Sequence, residues 1–319
     1  MLRKFLIYLS QSQRIKRWVT GWRLTRRVAT RFVAGDTLAE AVEAIRELNE
    51  RGMLATLDHL GENVATVEDA ARGIDDYLRS IEAIHQNDLK AGISLKLTQL
   101  GLEASYPACL ENLVRITRAA AEHGIFVRID MEHSGIVDQT VQIYRDARAK
   151  GLLNLGVVLQ SYLYRSREDT RSLLANNTPI RLVKGAYDEP PEIAFPDKED
   201  VDSEFDVLAK MMIERACESG STTVSADGRI PPLAALGTHD DERIRIARSH
   251  AEAVGLPREA LEFQLLFGIR IELGRELHAA GYPVRVYVPY GTEWYSYFMR
   301  RLAERPANLW FFLSNLVRG

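Results

Sequence analysis

From residue 53 onward the chain repeats one pattern. A short, nearly continuous apolar run is followed by a longer stretch with apolar residues at helical spacing. The runs fall at 54–57, 93–97, 126–129, 155–159, 180–183, 222–224, 261–265 and 284–288. Strands apolar along their whole length are buried on both faces, which marks a parallel sheet covered by helices. Several helical stretches stop at a glycine, namely Gly124, Gly151, Gly220, Gly255 and Gly281. Eight such units predict an α/β fold, a (βα)8 TIM-like barrel, with a doubly wound sheet as the alternative. Ahead of them the pattern predicts a helix over 37–52. Thr37 and Glu40 have capping-box spacing, Leu38, Val42, Ile45 and Leu48 share one face, and Gly52 ends it. The division expected is an N-terminal helical segment, 1–52, and a barrel domain, 53–319. Only 225–237, with Gly228, Pro231 and Pro232, breaks the rhythm. It reads either as a long loop after a strand at 222–224 or as the lead into a strand at 234–236.

Composition narrows the class. With 46 % hydrophobic and 27 % charged residues among 319, the chain is globular rather than disordered. No run reaches the roughly 18 apolar residues of a membrane span. Cys109 and Cys217 fall in helical stretches and form no ligand cluster, so neither a metal site nor a disulfide framework is expected. The start lacks a secretory pattern, and a cytoplasmic location follows. A net charge of −3 argues against a nucleic-acid partner, but it hides an asymmetry. Residues 1–35 hold nine Lys or Arg and no acid, leaving 32 bases against 44 acids in the remainder. Phe5, Ile7, Tyr8, Trp18 and Trp22 interleave with those bases. One reading is a peripheral contact with anionic lipid at the inner membrane face. The other is a set of helices packed on the acidic barrel.

Barrel chemistry sits at the C-terminal ends of the strands. Those positions hold Asp58, Lys96, Asp130, Gln160, Lys184, His239, Gln264 and Tyr287. Each alone has a plain structural role: Asp58 as a helix cap, Lys96 with Asp130 as an ion pair, Gln160 on a loop amide. All eight together predict a sizeable polar ligand. In the last helical stretch, Tyr297, Arg300, Arg301 and Glu304 have spacings that bring a phenol, guanidiniums and a carboxylate near one another. Two adjacent guanidiniums suit a carboxylate ligand, while an exposed Arg300–Glu304 pair is the simpler alternative. No G-x-G-x-x-G, phosphate loop, G-x-S-x-G or H-E-x-x-H is present. The residues alone therefore predict a barrel enzyme with an anionic ligand. Two rivals stay open: a Schiff-base lyase using Lys96 or Lys184, and an inactive amino-acid sensor.

The strings SLKLTQLG (94–101), VRIDMEH (127–133), VVLQSYLYR (157–165), IRLVKGAY (180–187), PDK (196–198), THD (238–240), EFQLLFG (262–268), RVYVPYG (285–291) and WYSYFMRRLAERP (294–306) span nearly the whole chain. Together they resemble monofunctional bacterial proline dehydrogenases. The resemblance implies a (βα)8 barrel that uses FAD to oxidise L-proline to Δ1-pyrroline-5-carboxylate, the first step of proline catabolism to glutamate. It implies hydride transfer from proline C5 to flavin N5 and electrons passed on to a quinone. By the same resemblance Asp130, Gln160, Arg181, Lys184, Thr238, His239 and Gln264 are cofactor positions. Arg181 would lie near flavin N5, Lys184 and His239 near the pyrophosphate, and Gln264 near the adenine end. Lys96, Tyr287, Tyr297, Arg300, Arg301, Glu304 and Leu266 are implied as the substrate side, with Lys96, Asp130 and Arg181 catalytic. Two departures stand out. The segment 225–237 intervenes before THD, and Asp188 stands where some relatives carry Trp, so a flavin contact there does not transfer.

Overall fold

A computed structural model describes residues 31–61 and 67–304. Their order is helix α1 (Leu38–Glu50), then β1 (Leu54–His59), α2 (Val67–Gln86), β2 (Ala91–Leu95), α3 (Tyr106–Glu122), β3 (Val127–Ile129), α4 (Val137–Ala149) and β4 (Leu155–Gln160). There follow α5 (Ser166–Leu174), β5 (Ile180–Val183), α6 (Lys198–Glu218), β6 (Ala234–Gly237), α7 (Asp241–Val254), β7 (Leu261–Leu266), α8 (Ile271–Ala279), β8 (Val284–Tyr290) and α9 (Trp294–Glu304). The eight strands close into a parallel barrel in chain order, β8 pairing with β1 with Thr56 opposite Tyr287. The TIM-like barrel expected from the alternation is what the chain forms.

Helix α1 begins as its sequence predicts. Thr37 accepts from the Glu40 amide, and the Glu40 carboxylate accepts from the Thr37 amide at 2.9 Å, a reciprocal capping box. Its buried Ala41, Val42, Ile45 and Leu48 join the main core, and the helix packs against β1, β8 and α2. It thus fills the slot between β8 and β1 that an eighth barrel helix would take. Helix α9 is free to lie elsewhere. Its Trp294, Tyr295, Phe298 and Met299 form a second apolar cluster with Phe32, Val33 and Leu60, and Leu266 and Tyr287 pack on it. Most of the basic 1–35 segment lies outside the described residues.

One strand differs from the expectation at 222–224. Thr222 and Thr223 are exposed, and β6 is Ala234–Gly237, the second of the two placements considered. Two threonines have β propensity but no apolar surface to bury, whereas Leu233–Leu236 is buried throughout. β6 runs straight into Thr238, so no insertion separates it from Thr238-His239-Asp240. The segment before it closes the N-terminal end of the barrel: Arg229 donates to the Leu89 and His123 carbonyls, and the Gly228 carbonyl accepts from Arg285.

Because α1 completes the ring, Ile45→Ala should destabilise the protein by about 2–5 kcal/mol, the cost of truncating a fully buried aliphatic side chain. Urea unfolding checks it.

Candidate active site

Barrel interiors are usually filled by branched aliphatic residues. Here polar side chains from five strands meet inside, four of them charged. Asp130 follows β3, and its Oδ1 accepts from Ser94 Oγ of β2 and from Arg181 Nη1 of β5, both at 2.9 Å. Its Oδ2 accepts from Tyr287 Oη of β8 at 2.7 Å and from Lys96 Nζ at 3.5 Å. Asp58 of β1 is fully buried and lies closer to Lys96, at 3.0 Å, and 2.6 Å from Tyr287 Oη. Asp58 therefore belongs to the cluster rather than to a helix cap; it was among the strand-end residues expected to converge on a ligand but not among the residues the resemblance implied. Its signal was a carboxylate near the end of an otherwise apolar, buried run.

Tyr287 has one hydroxyl hydrogen but two carboxyl groups within hydrogen-bond reach. Burial pushes the Asp58 carboxyl up, with Asp130 adding to the rise against the opposing pull of Lys96 and of the Tyr287 hydrogen bond. Burial also acts on Asp130, but Lys96 and Arg181 outweigh it and hold that carboxyl below its usual range. The two carboxyls thus share the Tyr287 hydroxyl and the Lys96 ammonium as donors, with their proton affinities pushed in opposite directions. Burial, then the nearby carboxylates, pushes the Tyr287 phenol well up, so it keeps its hydrogen.

Arg181 has further ties. Its Nε donates to Gln264 Oε1, and its guanidinium lies 5.3 Å over the Tyr287 ring. Gln264 in turn donates to Glu262, which Arg285 grips at 3.0 Å. Gln264 and Arg181 therefore lie side by side in the mouth.

A second group surrounds Lys184, just past β5. Its Nζ donates to Asp240 Oδ2 at 2.7 Å and pairs with Asp202 of α6 at 2.5 Å, while 27 % of its side chain stays accessible. Asp240 also caps α7. His239 Nε2 accepts the Leu266 amide at 3.1 Å, Thr238 Oγ1 accepts the Asp240 amide, and Gln160 donates to the Glu132 carbonyl at 3.0 Å.

α9 supplies the remaining wall. Tyr297 is buried and stacks parallel to Tyr287, ring centres 6.5 Å apart. The Arg301 guanidinium lies 5.1 Å over Tyr297, and that of Arg300 lies 5.9 Å over Tyr187. The structure thus brings Tyr287, Tyr297, Arg301 and Leu266 to one side, with Arg300 turned toward the loop after β5. The Glu304 side chain lies outside the described residues.

The fold and this mouth define a TIM-barrel enzyme with a dense, ion-paired site. The proline dehydrogenase family profile matches residues 41–313. Proline dehydrogenase 1 of Bacillus subtilis (strain 168) is 40 % identical over 318 residues, covering 100 % of both chains. Proline dehydrogenase of Deinococcus radiodurans is 38 % identical, over 92 % of this chain and 91 % of its own. Among solved structures, proline utilization A from Bdellovibrio bacteriovorus shares the fold, with a TM-score of 0.78 and 24 % identity. That match covers 88 % of this chain and 33 % of the other. The chain belongs to the proline dehydrogenase family, and proline oxidation is the activity that membership supports.

Two stability outcomes follow. Asp58→Asn removes one of the two carboxyls beside Lys96 but keeps an acceptor oxygen there, and should cost about 1–3 kcal/mol. Asp130→Asn strands two buried cations and should cost about 3–5 kcal/mol. Urea unfolding of both variants separates them. Lys184 helps hold the Asp202 and Asp240 carboxyls below their usual value of 3.8, against the opposing effect of burial. Groups with depressed folded values stabilise in full above the unfolded value and lose that contribution as pH falls through the folded one. The stability gap between the parent and Lys184→Met should therefore be widest near neutrality and shrink below about pH 4. A pH series of unfolding midpoints reads it.

Proposed function

We propose that the chain is an FAD-dependent L-proline dehydrogenase forming Δ1-pyrroline-5-carboxylate. The observation that carries this reading is the joining of the Asp58–Lys96–Asp130–Arg181–Tyr287 cluster to Tyr297 and Arg301 of α9. The donor set suits a flavin dinucleotide. Arg181 commits Nε and Nη1 to protein groups, while Nη2 has no acceptor among the described residues, leaving one cationic donor for a ligand. Lys184 adds an accessible ammonium past the same strand. Arg181, Lys184, Gln160, Thr238 and His239 would hold the cofactor. Gln264 would act beneath it by fixing Arg181. FAD, when bound, supplies the acceptor for the hydride that leaves proline C5.

The chain's own residues do the rest. Arg300 and Arg301 bind the proline carboxylate through charge-assisted hydrogen bonds. Tyr287 and Tyr297, parallel and buried, pack against the ring, keep water out and orient the C5 hydrogen. Asp130 holds Arg181 and Lys96 in place, and Leu266 closes an apolar side. Lys96, fenced by two carboxyl groups and a phenol, is set as an ammonium rather than the free amine a Schiff-base lyase needs. A quinone fits as the onward electron acceptor. No helix among the described residues is long and apolar enough to cross a membrane. Contact with anionic lipid through residues 1–35 would bring a cytoplasmic enzyme to that acceptor.

Purified protein should be yellow, with a flavin band bleached by proline under anaerobic conditions. A colourless protein that proline leaves unchanged, and that borohydride traps with a keto acid, would reverse the reading toward the lyase. Arg300→Lys and Arg301→Lys should each raise KM for proline about tenfold or more with flavin retained, because the planar fork is lost. Unchanged KM in both variants removes the clamp. Anionic vesicles at low salt should retain the full chain and release a variant lacking residues 1–30. That truncation spares Phe32 and Val33, which pack on α9.

A further inference from the structure

Below the ion-paired mouth, toward the closed end of the barrel, lies a cavity of about 10 Å³. Arg128, Arg181, Arg229, Arg285, Gln264 and Thr56 line it, and no carboxylate does. Three of these arginines have acidic partners elsewhere: Arg285 with Glu262 at 3.0 Å, Arg181 with Asp130 at 2.9 Å, Arg229 with Asp88 at 3.1 Å. Asp88 is almost fully exposed, so water screens its share of the compensation.

Arg128 is different. It is 1 % exposed, and its Nη1 donates only to backbone carbonyls, of Val157 at 3.1 Å and Pro179 at 2.5 Å. Its guanidinium rests 4.8 Å over the Phe126 ring, and its Nη2 is buried without a partner. No carboxylate pairs with it among the described residues. Burial first, and the neighbouring Arg181 next, pull Arg128 down to about 9. That still leaves the group charged near neutrality. A buried charge without a counter-charge is strongly unfavourable, and an unused buried donor adds to the penalty.

We propose that this cavity holds one small monovalent anion of halide type, bound by Arg128 Nη2 with Arg229 and Arg285 around it. The small volume favours a single-atom ion over a phosphate or a carboxylic acid. A water molecule would satisfy the donor but not the charge, whereas a single-atom anion does both. The ion would lie on the far side of Arg181 from the mouth, enclosed as the barrel closes, and it would share the neutralisation that Asp130 and Glu262 begin.

The test is anomalous diffraction from crystals of the flavin-loaded enzyme grown in sodium chloride, recorded at a wavelength where chlorine scatters anomalously. An anomalous peak in the cavity beside Arg128 Nη2 is expected. Density there without anomalous signal, as from water, overturns the proposal. In solution, a ligand bound by the folded state alone raises Tm with its concentration, by about 2–4 °C per tenfold chloride. That rise is expected in chloride relative to acetate at equal ionic strength, and Arg128→Met should abolish it. Equal midpoints in the two salts for the parent protein count against the ion. If Arg128→Met does not fold, the diffraction result decides alone.

Discussion

The Asp130 carboxylate is the point on which the mouth of this barrel depends. It takes four donors, from β2, β5, β8 and Lys96. Desolvating a carboxylate is expensive, and only the flanking cations Arg181 and Lys96 make the buried charge tolerable. The dependence is mutual, because each cation would be stranded without it. Hydrogen-bond geometry then transmits order outward: Arg181 fixes Gln264, Gln264 reaches Glu262, and Glu262 holds Arg285 near the closed end. One column of alternating charge thus replaces the apolar layers that fill most barrels of this type. It fixes the orientation of Lys96, Arg181 and Tyr287 in the mouth, so a bound ligand would meet side chains already in place.

A second constraint is topological. A barrel needs a helix between β8 and β1, and α1 provides it, capped by Thr37 and seated by Ile45 and Leu48. That substitution releases α9 to cover the mouth. Tyr297 stacks on Tyr287, with Arg301 over Tyr297, because their helix is not needed in the ring.

Much of this was legible from the amino acids. Continuous apolar runs ending in Asp58, Lys96, Asp130 and Tyr287 point to a parallel sheet with a polar mouth, eight of them favour a barrel over a doubly wound sheet, and the capping box at Thr37 is local chemistry. What stayed hidden depends on which strands face one another. Asp58 reads as a helix cap until closure sets it 3.0 Å from Lys96. The link from Gln264 to Arg181 and Glu262 exists only once the register sets their strands side by side. Arg128, Glu262 and Arg285 lie inside strands, where charge violates the apolar rule, and nothing local says what neutralises them. β6 was ambiguous because two threonines imitate a strand, and only burial decides in favour of Ala234–Gly237.

The second apolar cluster joins opposite ends of the described chain. Phe32 packs on Phe298 with ring centres 6.0 Å apart, the Ala34 amide donates to the Pro289 carbonyl, and the Gly291 amide donates to the Gly35 carbonyl. Contacts of such long sequence separation form late, after the loops between them have closed. The wall that carries Tyr297 and the arginines is therefore completed no earlier than the closure of β8 on β1. Proline turnover during refolding should lag behind the recovery of helix signal, making activity a clock for the completion of folding rather than for its start.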